Sequence, residues 1–397
     1  MKEWRKVKLG DCCEITSSKR CLASVRTKEG IPFFCSKEII LLDKGENVEP
    51  TDFIPEEIYE SVRDKFGVPK AGDLLLTTRG TNGIPYIYKE SDKFYFADGN
   101  LSWFKNFKRN ISNKYLYYWF KSAFGKHEVD AIAKGTAQKA VPIEGLRRIE
   151  LKLPPLSTQH RIATTISRYD SLIDNYQKQI KLLEEAAQRL YKEWFVNLRF
   201  PGHENTKIVD GVPEGWEKKK LEEIADIIMG QSPKSEFYNK EQKGLPFHQG
   251  VGSYGTRFVN DIVYTTSYTR IAEANSLLFS VRAPVGRLNI SKNKIVIGRG
   301  LAAMKHKNGM QSFLFYMLKE RFFKDNIIGN GSIFASISKN ELLNLRFIIP
   351  ANSIIYKYER FASDIDAKIQ KLDSQLRLLT ESRDRLLPKL LSGEIEV

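Results

Sequence analysis

The sequence predicts an α+β protein with two related globular domains, each followed by a long helix of the coiled-coil type. Two observations support this prediction: the chain repeats itself after about 200 residues, and a regular apolar stripe ends each copy. A length of 397 residues is enough for two or three domains with separate hydrophobic cores. The repeat therefore divides the chain into two copies, roughly 1–200 and 201–397.

The internal repeat is visible along most of the chain. The segment Trp4–Ile15 recurs as Trp216–Ile227, an offset of 212 positions. Further matched pairs are Leu74 and Leu277, Arg79 and Arg282, Gly83 and Gly286, Leu101 and Leu301, Tyr118 and Tyr316. From Gly135 and Gly331 onward the offset stays at 196, and the later pairs include Leu146 and Leu342, and Asp170 and Asp366. Small deletions in the loops of the second copy explain the decreasing offset.

The first part of each copy, about 150 residues long, contains short β-rich runs separated by Gly, Pro, Asn and Ser residues. The predicted strands include Asp73–Thr78, Ile84–Tyr88, Lys93–Ala97, Leu277–Val281 and Ile295–Ile297. One helical patch per copy is predicted, at Asn113–Phe124 and Gln311–Phe322. This mixture predicts an irregular α+β domain in each copy.

The last part of each copy is about 40 residues long. It contains a stripe of mainly apolar residues that are spaced alternately four and three positions apart. A stripe sustained over more than four heptads predicts two helices that pair with each other, and the alternative is a helix buried in its own domain. Pro154, Pro155 and Pro350 precede the helices, while Gly202 and Gly393 follow them. The residues predicted to pair the helices are Ile162, Ile166, Tyr169, Ile173, Tyr176, Ile180, Leu183, Leu190, Ile365, Ile369, Leu372, Leu376, Leu379 and Leu386.

Several classes of protein are disfavoured by composition. Apolar runs such as Tyr115–Phe120 are far shorter than the roughly 18 residues that a membrane span needs, and no apolar segment follows the basic N-terminus. We therefore expect a cytoplasmic protein that does not contact a membrane. The four cysteines lie between positions 12 and 35 without a nearby histidine or a zinc-type spacing. We expect reduced structural thiols and no metal, with a metal site as the alternative.

The net charge of +15 lies almost entirely outside the predicted helices. Residues 158–195 carry six basic and five acidic side chains, and residues 351–397 carry eight of each, which leaves +14 on the globular parts. Two basic globular domains fit a polyanion such as DNA, whose phosphates bind Lys and Arg with a strong dependence on salt. The alternative for any single basic residue is a solvated surface side chain.

Polar and basic side chains in predicted loops are the candidate DNA contacts. Arg, Lys, Asn and Gln make bidentate contacts with base edges, whereas Ser and Thr serve phosphates. The candidates in the first copy are Ser17, Ser18, Lys19, Arg20, Lys37, Arg79, Thr81, Asn82, Lys134, Thr136, Gln138 and Lys139. The candidates in the second copy are Gln231, Ser232, Lys234, His248, Gln249, Tyr268, Arg270, Arg282, Arg287, Arg299, Ser332 and Ser336.

The sequence contains no recognisable catalytic motif. A phosphate-binding G-x-x-x-x-G-K-[ST] loop, a G-x-G-x-x-G turn and an H-E-x-x-H helix are all absent. The segment Leu153–Leu156 has two prolines but lacks the flanking Asn or Asp and aromatic residue of an amino-methyltransferase site. The five histidines are scattered along the chain. The sequence therefore predicts a binding protein with no catalytic residues, and an enzyme with an unrecognised centre is the alternative.

The combination of these features resembles the specificity subunit of Type I restriction-modification systems, over essentially the whole chain. The resemblance is carried by the two basic domains, the repeated lead-in at Gly135 and Gly331, and the heptad tail that ends at Leu386–Ile395. It implies target recognition domains at 1–153 and 204–349. It also implies two repeated regions, 154–203 and 350–397, whose long helices form an antiparallel coiled-coil pair that separates the recognition domains.

The resemblance also implies a function and a set of partners. Each recognition domain would read one half of an asymmetric, bipartite double-stranded DNA target, and the helix pair would set the spacer. Two modification (methyltransferase) subunits and restriction (translocase and nuclease) subunits would join the chain. S-adenosylmethionine, ATP and Mg²⁺ would be bound by those partners, and no cofactor by this chain. A structural or regulatory coiled-coil protein that binds nucleic acid is a further alternative.

Overall fold

The computed structural model describes residues 4–135, 139–322 and 336–397. The chain divides into two compact units: unit 1 comprises Met1–Gln177 and Ser374–Val397, and unit 2 comprises Lys178–Asp373. Each unit therefore contains one globular part and a segment of each long helix. Strands and helices alternate irregularly in both units, and the predicted α+β class with two repeated domains is confirmed.

In its described part, unit 1 contains nine short strands and five helices before the first long helix. The strands are β1 (Arg5–Lys8), β2 (Glu14–Thr16), β3 (Ile31–Phe34), β4 (Phe53–Ile54), β5 (Leu74–Thr77), β6 (Pro85–Ile87), β7 (Tyr95–Phe96), β8 (Leu101–Lys105) and β9 (Glu150–Leu153). The helices are α1 (Ser36–Asp43), α2 (Glu56–Phe66), α3 (Asn113–Lys121), α4 (Ala123–Ile132) and α5 (Ile143–Arg148). Strands β2-β8-β5-β6 form an antiparallel sheet, β4-β3-β7 form a smaller sheet, and β1 pairs with β9.

The central strand β5 explains how the core of unit 1 is built. Successive side chains of a strand point to opposite faces of the sheet. Leu74 and Leu76 belong to a buried cluster with residues of α3, whereas Leu75 belongs to an aromatic cluster that includes Phe34 and Phe96. Both faces of the sheet are therefore covered, which is why this strand is a continuous apolar run rather than an alternating one.

Unit 2 contains thirteen short strands and three shorter helices in its described part. The strands are β10 (Ile208–Val209), β11 (Val212–Pro213), β12 (Glu217–Lys220), β13 (Ala225–Met229), β14 (Tyr238–Asn239), β15 (Leu245–His248), β16 (Tyr264–Thr265), β17 (Ile271–Ala272), β18 (Leu277–Ser280), β19 (Leu288–Ile290), β20 (Ile295–Ile297), β21 (Leu301–His306) and β22 (Arg346–Ile349). The helices are α7 (Leu221–Ile224), α8 (Gln311–Phe322) and α9 (Lys339–Leu343). The sheets are β13-β21-β18-β19, β14-β16-β15-β20-β17, β12-β22 and β10-β11.

The same four-stranded antiparallel sheet occurs in both units. The order β2-β8-β5-β6 in unit 1 corresponds to β13-β21-β18-β19 in unit 2, and α3 and α8 occupy matching positions in the chain. Each predicted strand contains an observed strand, and α3 and α8 lie within the two predicted helical patches. Helix α4 was not predicted as a separate element; it begins where the Ser122 side chain caps it.

The two long helices predicted within 154–203 and 350–397 are observed. The first, α6, spans Leu156–Tyr191 and is continued by a π-helical turn at Lys192–Val196. The second, α10 (Asn352–Ser392), continues through Pro388 and ends before Gly393, whose φ angle is +77°. Among the residues that the structure describes, no helix is both long enough and apolar enough to cross a membrane.

The two long helices contact each other inside each unit. In unit 1, Ile162 and Ile166 share a buried cluster with Leu390, and Arg383 donates to Asp170 at 2.9 Å. In unit 2, the residues in contact are different: the hydroxyl of Tyr358 donates to the carbonyl of Ala187 at 3.2 Å, and its ring packs against Tyr191 and Trp194. Every side chain of the predicted stripe is buried or half-buried.

Candidate nucleic-acid interface

A hairpin loop between β5 and β6 presents Arg79 and Thr81 to solvent in unit 1. The hydroxyl of the buried Thr77 donates to the carbonyl of Thr81 at 2.7 Å and accepts from the amide of Ile84 at 2.9 Å. The amide of Gly83 donates to the carbonyl of Thr77 at 2.8 Å, and its φ angle of +80° suits glycine. One buried hydroxyl thus fixes the loop that carries the exposed guanidinium.

Two other segments that carry predicted residues meet at this loop. The backbone of Arg79 pairs with Ala140, which also pairs with Lys134 of the lead-in segment. Asn82 donates from its side-chain amide to the carbonyl of Lys139 at 3.3 Å. The hydroxyl of Ser36, next to Lys37, lies 3.1 Å from the carbonyl oxygens of both Arg79 and Asn100. The sequence positions 36–37, 79–82, 134 and 139 therefore lie together in the fold.

The segment from Ser17 to Arg20 completes the candidate interface of unit 1. The hydroxyl of Ser17 donates to the carbonyl of Leu101 at 3.3 Å, and the amide of Lys19 donates to the hydroxyl of Tyr95 at 2.7 Å. Ser17, Ser18 and Asn82 are half-buried. The exposed candidates are Lys19, Arg20, Lys37, Arg79, Thr81, Lys134 and Lys139. Thr136 and Gln138 lie outside the described residues.

Unit 2 has the same hairpin loop, between β18 and β19. The buried Ser280, 203 positions after Thr77, donates from its hydroxyl to the carbonyl of Pro284 at 2.6 Å and accepts from the amide of Arg287 at 2.8 Å. Arg282 is exposed, and its backbone pairs with Ser336 as that of Arg79 pairs with Ala140. Gly286 has a φ angle of +89°, and a Cβ here would lie 2.7 Å from the ring of Phe322. Each unit therefore holds one arginine on the same kind of fixed loop.

Other predicted residues of unit 2 meet through the hydroxyl of Ser232. This hydroxyl donates to the side-chain carbonyl of Gln249 at 2.7 Å and accepts from the amide of Arg299 at 3.2 Å. Thr269 donates to the carbonyl of Gln231. The exposed candidates are Gln231, Lys234, Gln249, Tyr268, Arg270, Arg282, Arg287, Arg299 and Ser336, and Ser232 is half-buried. Ser332 lies outside the described residues.

His248 needs a correction, because the structure buries it completely. Its two ring nitrogens lie 2.8 Å from the Ser253 hydroxyl and 3.0 Å from the Asp261 carboxylate. Burial raises the pKa of Asp261, but the hydrogen bonds from His248 and Asn293 and the nearby positive charge together outweigh this effect, so the pKa lies below its usual range. Since both nitrogens have partners inside the domain, His248 supports the neighbouring loop rather than contacting a base.

The sequence analysis missed the residues that fix these loops. Thr77, Ser280 and Ser36 were absent from the predicted set, although they form the hydrogen bonds that position it. The signal was present for Thr77 and Ser280, since a hydroxyl residue recurs at the same offset of 203 as the arginines. This pattern predicts the end of a strand at each position and does not reveal that the hydroxyl group holds the following loop.

The four cysteines were the candidates for a metal site, the alternative to structural thiols. Within 4–135, 139–322 and 336–397, no group of three or more His, Cys, Asp or Glu residues is placed to hold a metal ion. All four cysteines are free thiols. Burial raises the pKa of each, that of Cys13 to about 12, so they remain protonated and unreactive near neutral pH.

Two fixed loops with exposed cations and amides are typical of a duplicated protein that binds a polyanion. Residues 1–185 and 213–380 match the profile of the family described as "Type I restriction modification DNA specificity domain". The chain therefore belongs to the Type I restriction-modification DNA specificity family.

Similar proteins agree with this assignment. The type I restriction enzyme MjaIX specificity subunit of Methanocaldococcus jannaschii is 26% identical over 423 residues, which cover 100% of this chain and 94% of that protein. A protein of the same organism, provisionally named the type I restriction enzyme MjaX specificity subunit, is 29% identical over 404 residues with the same coverage. The crystal structure of the S subunit from M. genitalium is 18% identical, covers 98% of this chain and 96% of its own, and has a TM-score of 0.61. The structural likeness shows a shared fold.

Proposed function

We propose that this chain directs partner methyltransferase and restriction subunits, in the cytoplasm, to an asymmetric bipartite DNA target. The globular part of unit 1 reads one half-site and that of unit 2 reads the other. The observation that carries the proposal is the duplicated hairpin loop, with exposed Arg79 in one unit and exposed Arg282 in the other. The side chains around the two loops differ, so the half-sites differ.

The chain acts as the specificity component, so the chemistry belongs to its partners. The modification subunits bind S-adenosylmethionine, and the restriction subunits bind ATP and Mg²⁺. Equilibrium dialysis of the isolated chain with S-adenosylmethionine is expected to give no binding. Stoichiometric binding would instead support an enzyme with an unrecognised centre.

Methylation mapping tests the half-site assignment. Cells that express this chain with its methyltransferase are expected to show an asymmetric two-part motif with a fixed gap, which is absent with the methyltransferase alone. Arg79→Ala should relax one half-site only and Arg282→Ala the other only, each by about 1–3 kcal/mol per lost base contact. Arg63→Ala, on exposed α2, is the matched control. No new methylation from a stable complex would favour the regulatory alternative.

The predicted helix pair, an antiparallel coiled coil, sets the spacer in this proposal. The opposite order of contacts along α6 and α10 in unit 1 supports it, because Ile162 shares a cluster with Leu390 and Asp170 accepts from Arg383. One heptad inserted into each helix adds about 10 Å, which corresponds to about three base pairs at 3.4 Å each. The motif is expected to keep both half-sites and to gain a longer gap. Altered half-sites with an unchanged gap would contradict this assignment.

Each long helix has an exposed leucine at the same repeat position. These two leucines are the proposed docking positions for two modification subunits. Leu182 is 63% exposed and Leu378, 196 positions later, is 56% exposed. Leu182→Ser and Leu378→Ser are each expected to reduce the number of modification subunits bound from two to one in analytical ultracentrifugation. Leu172→Ser is the control, because Leu172 is 44% exposed but Lys368 stands at its repeat position. Unchanged stoichiometry in both single variants would reject this docking position.

A further inference from the structure

The two-stranded ribbon of β1 and β9 in unit 1 carries unpaired positive charge. Its register places Lys6 directly opposite Lys152 and Lys8 opposite Glu150. Like charges directly opposite each other destabilise a strand pair. Among the residues that the structure describes, none of these three lysines has a carboxylate within ion-pair distance. An anionic ligand across the ribbon would relieve the repulsion.

Two open grooves of about 730 Å³ each meet at this ribbon and share Lys6 and Glu150. The basic side chains that line the two grooves, which we call the basic track, are Arg5, Lys6, Lys8, Lys108, Arg109, Lys134, Arg148 and Lys152. The carboxylates along the same surface are Asp11, Glu128, Glu144 and Glu150, and Glu144 is already paired with Arg147. Cations therefore outnumber carboxylates by eight to four.

The basic track is continuous with the candidate interface of unit 1. Lys134 lines the second groove, and its backbone pairs with Ala140, which in turn pairs with Arg79 of the hairpin loop. The track therefore leads from the predicted recognition loops across the ribbon to Lys108 and Arg109. None of its members except Lys134 belongs to the predicted set of DNA contacts.

The dimensions and chemistry of the track fit a nucleic-acid backbone. The four residues of β1 extend over about 13 Å at 3.3 Å per residue, and DNA carries one phosphate per 3.4 Å of helix axis on each strand. The ribbon is therefore long enough to lie beside more than one phosphate of the same strand. Flexible lysines on a regular strand match a repeating phosphate charge, and they read no bases.

We propose that the basic track binds the phosphodiester backbone of the DNA that flanks the half-site read by unit 1. This proposal rests on the proposed function, because it assumes that the recognition loops hold DNA. It is specific to unit 1. In the matching ribbon of unit 2, Ile348 is opposite Lys218. The like-charge pair there is Lys220 opposite Arg346, and Lys220 is already paired with Glu222 at 3.3 Å.

The test uses the complex of this chain with its methyltransferase and three lysine substitutions, Lys6→Gln, Lys108→Gln and Lys152→Gln, in one variant. Affinity is measured for duplexes with the mapped target and with a scrambled sequence, over a range of salt. We expect binding to both duplexes to weaken by the same factor, at least tenfold at low salt, and the slope of log affinity against log salt to fall by about 2 to 3. The methylated motif should stay unchanged.

Duplexes of different length show where the basic track contacts the DNA. Shortening the duplex at the outer edge of the unit 1 half-site should weaken the native complex but leave the variant unaffected. A control variant with Lys28→Gln, Lys65→Gln and Lys89→Gln changes the charge of unit 1 equally on exposed positions outside the track.

Two results would overturn the proposal. One is an equal loss of affinity in the control variant, which would mean that overall charge alone matters. The other is full DNA affinity in the track variant with weaker methyltransferase binding, which would mean that the track is a protein docking surface. Failure of the proposed function is seen separately, as a native complex that does not distinguish the target from the scrambled duplex.

Discussion

In each unit an aspartate at the same repeat position anchors the globular part to a long helix, but the cation that pairs with this aspartate differs between the units. Asp170 and Asp366 lie 196 positions apart, and each accepts a tyrosine hydroxyl, from Tyr118 at 2.8 Å and from Tyr316 at 3.0 Å. In unit 1 the cation is Arg383, which comes from α10 and has a side chain that is 24% exposed. In unit 2 the cation comes from the globular part and is buried.

That second cation, Arg257, is surrounded by acidic and aromatic groups. Its guanidinium donates to Asp366 at 2.6 Å, lies 3.6 Å from Glu184 of α6, and stacks 3.5 Å above the centre of the Phe315 ring. Its side chain is only 1% exposed. Both copies of the repeat therefore retain the aspartate and the tyrosine that link α3 or α8 to a long helix. The positive charge that neutralises the aspartate comes from α10 in unit 1 and from the globular part in unit 2.

The largest expected effect is the difference between the two arginines. Arg257→Met should lower the free energy of unfolding by about 3–5 kcal/mol, because it leaves Asp366 and Glu184 without their buried cation. Arg383→Met should cost about 1 kcal/mol or less, since water reaches this pair and Asp384 shares the same guanidinium. Calorimetric unfolding of both variants measures the difference.

The control for this pair is Arg270→Met, an exposed arginine of unit 2 whose loss should leave the unfolding temperature nearly unchanged. Equal losses of stability in Arg257→Met and Arg383→Met would contradict the claim that burial separates the two anchors.

Substitution of the two tyrosines should lower the free energy of unfolding by a smaller amount, which should be equal in both units. Tyr118→Phe and Tyr316→Phe each remove a hydroxyl that donates to an aspartate, and each should cost about 1.5–3 kcal/mol. Burial and the neighbouring aspartate raise the pKa of both tyrosines, so both hydroxyls remain donors throughout the accessible pH range. Urea unfolding of the two variants, with exposed Tyr268→Phe as the control, compares them. A loss confined to one unit would show that the anchors are not equivalent.

The sequence predicted the parts of the fold whose signal is local or repeated. The apolar run of β5 and its match in β18 predicted the central strand of each four-stranded sheet. The spacing of apolar residues by four and three positions predicted both long helices. Asp170 and Asp366 were visible as a repeated pair. Their role was not predictable, because their partners Arg383 and Arg257 are 213 and 109 positions away in the chain.

The candidate interface was predicted less completely for the same reason. Loop composition correctly selected exposed residues such as Arg79 and Arg282. It could not distinguish them from His248, which was also predicted in a loop. His248 instead ends strand β15 and is buried, with Ser253 and Asp261 at its ring nitrogens. Burial of a polar side chain depends on which distant groups satisfy it, and local composition carries no record of them.

The smallest expected effect is an acid sensitivity specific to unit 2. Burial lowers the pKa of His306 to about 4, and its Nδ1 accepts from the amide of Asn308 at 3.1 Å. The unfolded chain binds this proton near pH 6.5, so the stabilisation is complete above pH 6.5 and is lost as the pH falls towards 4. After allowance for partial exposure, unfolding free energy should fall by about 1 kcal/mol between pH 7 and pH 5.

Unit 1 supplies the control, because Asn106 stands 200 positions before His306, at the offset that relates β8 to β21. His306→Asn should remove the 1 kcal/mol dependence while keeping an acceptor for the amide of Asn308. Urea unfolding at the two pH values, with and without the substitution, measures it. A variant with unchanged pH dependence would assign the acid sensitivity to groups that both units share.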